Sequence, residues 1–175
     1  MHKQFLVIFL IISFRLISQE ISPLPQGFRD ITIGLSLEDA KVAIESDGYF
    51  DYQGDPDVSM LLSENRSIIE TKGNFYIDSG VFQFYNDSLF TITLILDTRS
   101  IDYYTIFTTL KNKYGIYKSL TPKKVIWESS DVRIILEKPL TIKYVGLAVY
   151  NQIIEADTTE KAVREQLKED FINEL

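Results

Sequence analysis

The sequence predicts an α+β fold in which an antiparallel sheet meander packs against two helices and a C-terminal helix follows. Three observations predict it: residues 81–96 alternate with period two around a turn, an apolar helical face begins after Asp102, and residues 36–150 run in the order helix, strands, helix, strands. Runs of adjacent strands with few helices favour an antiparallel sheet over alternating parallel units.

Residues 81–96 form the clearest strand pattern. Phe82 and Phe84 alternate with Gln83, residues 86–88 read Asn-Asp-Ser, and the return segment alternates apolar residues with Thr91 and Thr93. Such alternation on both sides of an Asn-Asp turn predicts a hairpin with one face in the core.

The sequence indicates where two helices begin and end and which face of each is apolar. Ser36 is placed to accept from the amide of Asp39, and Leu37, Ala40 and Ile44 follow at helical spacing. The second helix ends at Gly115, a residue that readily adopts a left-handed stop. Its apolar face is formed by Tyr103, Ile106, Phe107, Leu110 and Tyr114.

The remaining predicted strands are short. They cover residues 31–33, 67–71, 125–128, 132–137 and 141–150. A helix followed by a meander therefore occurs twice within the predicted domain, residues 31–150, which suggests an approximate tandem repeat.

The N-terminus predicts a secretory signal peptide over residues 1–18. A short basic start precedes the apolar run 5–14, which Arg15 ends, and the run is shorter than the roughly 20 residues of a spanning helix. Residues 19–30, with two prolines, predict an extended leader. An uncleaved anchor or a buried first strand remain alternatives.

The C-terminal segment, residues 151–175, predicts an amphipathic helix. Val163, Leu167 and Phe171 fall on one face, and charged residues cover the rest. Two arrangements fit this pattern. The helix either packs on the domain or extends into solvent, where a partner covers its apolar stripe.

The composition excludes several classes of chemistry. The 175 residues include no cysteine, and the one histidine, His2, lies in the predicted signal peptide. We therefore expect no disulfide, no His-based or Cys-based catalytic site, no metal site and no cofactor. The formal net charge of −7 argues against nucleic acid and anionic membranes as partners, with membrane contact only through an uncleaved signal segment.

Carboxylates are the remaining candidate for chemistry. Asp51, Asp55, Asp57 and Glu64 crowd one predicted loop, where they would hold calcium or act as a hydrolase pair. Pro56 stands where an EF-hand needs glycine, so the calcium signature fails. A solvated acidic loop explains these residues more simply.

Five residues are candidate partner contacts. Lys118, Lys123 and Lys124 form a basic cluster in an acidic chain, and Trp127 and Tyr144 would supply an aromatic contact surface. A solvated loop and core packing are the structural alternatives.

Three short motifs resemble a known group of proteins. They are Ile33-Gly34-Leu35-Ser36 before a helix, the hairpin around residues 82–89, and a helix that ends Lys113-Tyr114-Gly115. Together they resemble small exported bacterial domains of the outer-membrane assembly BamE type and of the β-lactamase-inhibitor-protein-like fold. The resemblance implies a bacterial, periplasmic or secreted, non-catalytic domain and transfers no binding residue.

The function expected from the sequence is therefore an exported, non-enzymatic binding or assembly domain whose partner is another protein of the cell envelope. An inhibitor-like protein, which masks another protein's site with a concave aromatic sheet face, is the first alternative. A carboxylate-based hydrolase is the second.

Overall fold

The computed structural model describes residues 22–54, 57–60 and 65–173, and it confirms the predicted α+β class. Its three helices are Leu37–Ser46 (α1), Tyr103–Tyr114 (α2) and Leu147–Asn173 (α3). Its strands are Gly27–Phe28 (β1), Ile31–Thr32 (β2), Phe50–Asp51 (β3), Val58–Met60 (β4), Arg66–Gly73 (β5), Ile77–Tyr85 (β6), Ser88–Leu96 (β7), Ser119–Leu120 (β8), Lys124–Glu128 (β9), Val132–Glu137 (β10) and Thr141–Gly146 (β11).

The main sheet has nine antiparallel strands in the order β3-β5-β6-β7-β11-β10-β9-β8, with β4 also paired to β5. Strands β1 and β2 form a separate two-stranded sheet. The chain therefore contains two units with the same layout. The first unit runs from α1 to β7, residues 37–96, and the second unit runs from α2 to β11, residues 103–146.

The two units share one sheet because their last strands pair. Strand β7 lies antiparallel to β11, with Ile92 opposite Tyr144 and Leu94 opposite Ile142. The order of strands is thus symmetric about the β7–β11 junction.

The predicted hairpin is strands β6 and β7. Asn86 and Asp87 form its turn with φ values of 48° and 58°, as tight hairpin turns require, and both residue types tolerate this conformation. The carboxylate of Asp87 also accepts the backbone N–H of Leu37 at 2.9 Å, which fixes the turn to the start of α1.

The predicted helix starts and stops are also observed. The hydroxyl of Ser36 accepts the N–H of Asp39 at 3.1 Å, and Asp102 caps α2 by accepting the N–H of Thr105 at 2.9 Å. Gly115 ends α2 with a φ of 76°.

The core lies on the sheet face that α1, α2 and the β1–β2 hairpin cover. Alternate strand residues point into it from every long strand. Its largest fully buried side chains include Ile69, Phe82, Ile92, Trp127 and Ile134. Because one sheet carries residues from both units, the two units share a single core.

The sequence predicts that the last strand covers residues 141–150 and that the C-terminal helix begins after residue 150. The predicted boundary between the two elements is wrong. Strand β11 ends at Gly146, and α3 begins at Leu147. Val132 opposite Gly146 is the last pair between β10 and β11, and the backbone N–H of Leu147 still donates to the carbonyl of Asp131 at 2.9 Å. Residues beyond Leu147 have no neighbouring strand to satisfy their backbone groups. A helix satisfies those groups internally.

Other differences concern strands too short to show alternation. Strand β1 lies within the predicted leader, β3 and β4 border the predicted loop at 51–57, and β8 follows α2. The predicted signal peptide, residues 1–18, lies outside the described residues.

Candidate functional site

Charge is distributed unevenly between the two units. Residues 37–96 contain three basic and eleven acidic residues, whereas residues 103–146 contain eight basic and three acidic residues. The net charges are therefore −8 and +5. A chain that is acidic overall thus presents a basic region on its second unit.

The predicted lysine cluster is divided by the strand geometry. Lys118 forms an ion pair with Glu128, which also accepts Arg133 Nε at 2.6 Å. Lys124 lies on the same, solvent-facing side of the sheet opposite Glu137. Of the three predicted lysines, Lys118 forms an ion pair, Lys124 lies close enough to Glu137 to lower the pKa of that carboxyl group, and Lys123 forms no ion pair among the described residues.

The two aromatic residues predicted as contacts lie in the core, which contradicts their assignment to an exposed surface. Trp127 is 1% exposed, and its indole N–H donates to the carbonyl of Gly115 at 3.1 Å. Tyr144 is also buried, and burial raises the pKa of its hydroxyl well above the usual range. Both residues occupy the inward positions of their strands, so core packing was the correct interpretation.

A groove between α2 and the β8–β9 hairpin is the most distinctive surface feature of the second unit. We call it the α2–β8 groove. Its volume is about 210 Å³. Its lining residues are Tyr103, Phe107, Leu120, Thr121, Pro122, Val125 and Lys138.

Two lysines border this groove. The ammonium of Lys138 lies 5.5 Å from the ring centroid of Tyr103, and the backbone N–H of Lys138 donates to the carbonyl of Lys123 at 2.9 Å. The turns that carry Lys123 and Lys138 are therefore adjacent. Neither ammonium forms an ion pair within the described part of the chain, so both are available to a partner.

Sequence reasoning identified Lys123 but missed the groove itself. Tyr103 and Phe107 belong to the apolar face of α2, which was predicted to be core. That face is only partly covered, because β8 is two residues long. The signal that was available is Leu120-Thr121-Pro122, an exposed leucine beside a proline in a segment with no predicted element.

The centre of the solvent-facing side of the sheet can be followed across four strands. One row across its centre contains Val81, Thr93, Lys143 and Ile135, each opposite the next on neighbouring strands. This row is aliphatic and polar.

A second cavity, of about 290 Å³, opens over the junction of the two units. Strands β7 and β11 contribute its floor through Leu94, Leu96 and Ile142, and Arg29 and Tyr76 lie among the remaining lining residues. Arg29 already forms an ion pair with buried Asp47, with Nε–Oδ2 at 2.8 Å. The charged group at this cavity is thus engaged within the fold.

Among the carboxyl groups that the structure describes, four have lowered pKa values, and each has a local structural cause. Hydrogen bonds from Arg99 hold the pKa of Asp97 at about 2, and the hydroxyl of Thr105 lowers the pKa of Asp102. Lys118 lowers the pKa of Glu128, and Lys143 lowers that of Glu137. These carboxylates are held ionised by caps and ion pairs.

The acidic loop is only partly described. Asp51 and Asp57 accept hydrogen bonds from the side-chain and backbone N–H groups of Gln53, while Asp55 and Glu64 lie outside the described residues. Within residues 22–54, 57–60 and 65–173, no three His, Cys, Asp or Glu side chains are grouped to hold a metal ion.

Helix α3 starts on the sheet and continues into solvent. Its first residues pack against β7 and β11, and the guanidinium of Arg133 lies 5.5 Å from the ring centroid of Tyr150. Val163, Leu167 and Phe171 are 54%, 64% and 62% exposed. None of the helices in the described ranges is both long and apolar enough to cross a membrane.

Comparison with known proteins gives one match. A family model described as the TP0088 domain matches residues 26–156, which include both units and the first turns of α3. Neither a curated protein nor a solved structure matches the chain.

Proposed function

This chain belongs to the TP0088 domain family, and we propose that it is an exported, non-catalytic protein-binding domain of the cell envelope. Its docking surface is the α2–β8 groove, and its ligand is an acidic segment of a protein with an apolar anchor residue.

One observation carries this proposal: an apolar groove lies on the basic unit of an acidic chain, and the two lysines that border it form no ion pair within the described ranges. Lys123 and Lys138 would meet carboxylates of the ligand, while Tyr103, Phe107 and Leu120 would contact its apolar side chain. Complementary charge fixes orientation and speeds association, and apolar burial supplies most of the affinity.

The size of the groove favours a protein segment over a small molecule. Pockets for small ligands usually enclose roughly 300–1,000 Å³, and the groove is smaller, at about 210 Å³. A groove of this size suits one or two inserted side chains. Nucleic acid is disfavoured as a ligand because the net charge of the whole chain is −7.

Export is supported by the N-terminal sequence. Residues 1–18 have the basic start and short apolar run of a signal peptide, and the absence of cysteine is compatible with an oxidising compartment.

The experiment that tests the proposal is recovery of the protein from the envelope fraction of its host after mild crosslinking, with mass spectrometry of its N-terminus and its partners. We expect a mature chain that starts near Gln19 and one dominant crosslinked protein. Lys123→Glu should lower recovery of that partner about tenfold, which corresponds to ~1.4 kcal/mol of binding free energy.

Lys72→Glu is the matched control, because it reverses the charge of an exposed lysine on β5 in the first unit. Its partner recovery should equal that of the wild type. If Lys123→Glu recovered as much partner as the wild type, the α2–β8 groove would not be the docking surface. A mature protein that retains Met1 would contradict export.

A further inference from the structure

The part of α3 that extends into solvent has the properties of the ligand that the α2–β8 groove requires. We propose that residues 154–173 of a second copy of this chain occupy the groove. This inference rests on the proposed function, since it identifies the partner of that same surface.

The exposed part of α3 carries an apolar stripe that the described part of the chain leaves uncovered. Val163, Leu167 and Phe171 follow one another at intervals of four residues, so they lie along one side of the helix. More than half of each side chain is exposed. Most of the stability of helices in proteins comes from packing of an apolar face. A surface that covers this stripe would therefore stabilise the helix.

The charges of the two surfaces are complementary. Residues 147–175 contain seven acidic and three basic residues, which gives a net charge of −4, and the second unit has a net charge of +5. Docking of this helix would therefore bring an acidic segment to the basic unit that carries Lys123 and Lys138.

The apolar surfaces also match. The groove offers Phe107, Leu120 and Val125 as contacts for an inserted side chain. Leu167 and Phe171 are the two largest exposed side chains of the stripe, and either is suited to a groove of about 210 Å³. Burial of a leucine or phenylalanine side chain is worth roughly 1.5–3 kcal/mol relative to its exposure.

The helix of the same chain does not fill the groove. The side chains of the stripe are exposed, and α3 contacts β7 and β11 at the centre of the sheet, whereas the groove lies at the β8 edge. Two copies that exchange α3 reciprocally would form a closed dimer with both grooves filled.

The region that matches the family model includes the groove but not the apolar stripe of α3. The TP0088 model ends at residue 156, so the stripe from Val163 onward lies beyond the matched region. The groove residues of α2, β8 and β9 lie within it. The exchange would thus add a helical ligand to a family domain that already contains its receptor surface.

The mass of the mature full-length protein, measured by size-exclusion chromatography with light scattering over a concentration series, tests the exchange. We expect a dimer for the wild type. Leu167→Gln with Phe171→Gln keeps the charge and the helix propensity and should raise the dissociation constant at least about tenfold. Val42→Gln, a change of an equally exposed apolar residue on α1, should leave it unchanged.

Reversal of the groove charge gives a second test. A variant with Lys123→Glu and Lys138→Glu should raise the dissociation constant of the dimer at least about tenfold, because an acidic helix would then meet a groove with the same sign of charge. Lys72→Glu, on the first unit, is the control and should leave the dissociation constant unchanged.

Two results would overturn the inference: a wild type that is monomeric at every concentration, or a dimer that the Leu167 and Phe171 changes do not weaken. With either result, the proposed function would still stand if Lys123→Glu lowered recovery of a different protein from the envelope. If that substitution also had no effect in the envelope, both proposals would fail.

Discussion

The first and second units follow one plan and differ in their surfaces. Each unit consists of a helix and a meander, and the last strands of the two meanders pair with each other at the β7–β11 junction. The first unit has a net charge of −8, and the second has +5. The shared plan is set by buried residues, so the surfaces were free to diverge. The proposed binding surface lies on the unit whose charge opposes that of the whole chain.

The outer edges of the two units differ as well. In the first unit β3 and β4 pair with both ends of β5, whereas in the second unit the two residues of β8 are the pairing on the outer side of β9. The shorter edge leaves part of α2 uncovered, and this produces the α2–β8 groove. A difference of a few paired residues thus separates a closed edge from a candidate binding surface.

The largest predicted effect tests whether the two units fold as one. Ile69 on β5 and Trp127 on β9 hold equivalent places in the two meanders, and both are fully buried. Ile69→Ala should cost about 2–5 kcal/mol and Trp127→Ala about 3–5 kcal/mol of unfolding free energy, because each leaves a cavity in the shared core.

Chemical denaturation followed by circular dichroism measures both changes. Each variant should show one transition, shifted to lower denaturant concentration. If either variant unfolded in two steps, with one unit lost before the other, the shared core would be the wrong description of this sheet.

A smaller effect is predicted at the connection between the units. Asp97 follows β7, and its carboxylate accepts hydrogen bonds from Arg99 and Ser100, which hold its pKa at about 2 against an ordinary value of 3.8. A depressed pKa stabilises the folded state above the ordinary value, and that stabilisation disappears as the pH falls from about 4 toward about 2. Between pH 4 and pH 2, the melting temperature of Asp97→Asn should therefore fall less than that of the wild type.

Melting temperatures at pH 7, 4 and 2.5 give this comparison. Glu45→Gln, which removes an exposed carboxyl group of α1, is the control and should keep the acid dependence of the wild type. If Asp97→Asn gave the same curve as the wild type, the turn between the units would contribute nothing to acid sensitivity.

The smallest effect is predicted for an ion pair on the solvent-facing side of the second unit. Lys143 Nζ lies 2.7 Å from Glu137 Oε2, and both side chains are about one-third exposed. Exposed pairs of this kind contribute about 0–1 kcal/mol. Lys143→Gln should therefore change the unfolding free energy by less than about 1 kcal/mol, and a larger loss by denaturation would show that this face supports the fold more strongly than the geometry indicates.

The sequence predicted the parts of the fold that are decided locally. The Asn86–Asp87 turn, the Ser36 cap and the Gly115 stop depend on residues within a few positions of one another, and all three are observed. The boundary at Gly146 could not be predicted, because it depends on where β7 and β10 stop offering a partner. The sequence pattern of residues 147–150 fits a strand as well as a helix.

The candidate site was predicted only in part. Lys123 was identified from charge alone, but Lys138 is fifteen residues away and reaches the same place through the pairing of β9 with β10. The exposure of Tyr103 and Phe107 depends on the length of β8. Trp127 and Tyr144 were assigned to the surface because aromatic composition does not reveal which side of a strand faces the core.

The most direct measurement compares the two units within one cell. A photo-crosslinking amino acid is placed at Leu120, in the α2–β8 groove, or at Val42, on the exposed side of α1; both positions are more than half exposed. Binding at the second unit predicts a strong adduct from position 120 and none from position 42. Equal adducts from both positions, or an adduct from position 42 alone, would contradict the assignment of binding to the second unit.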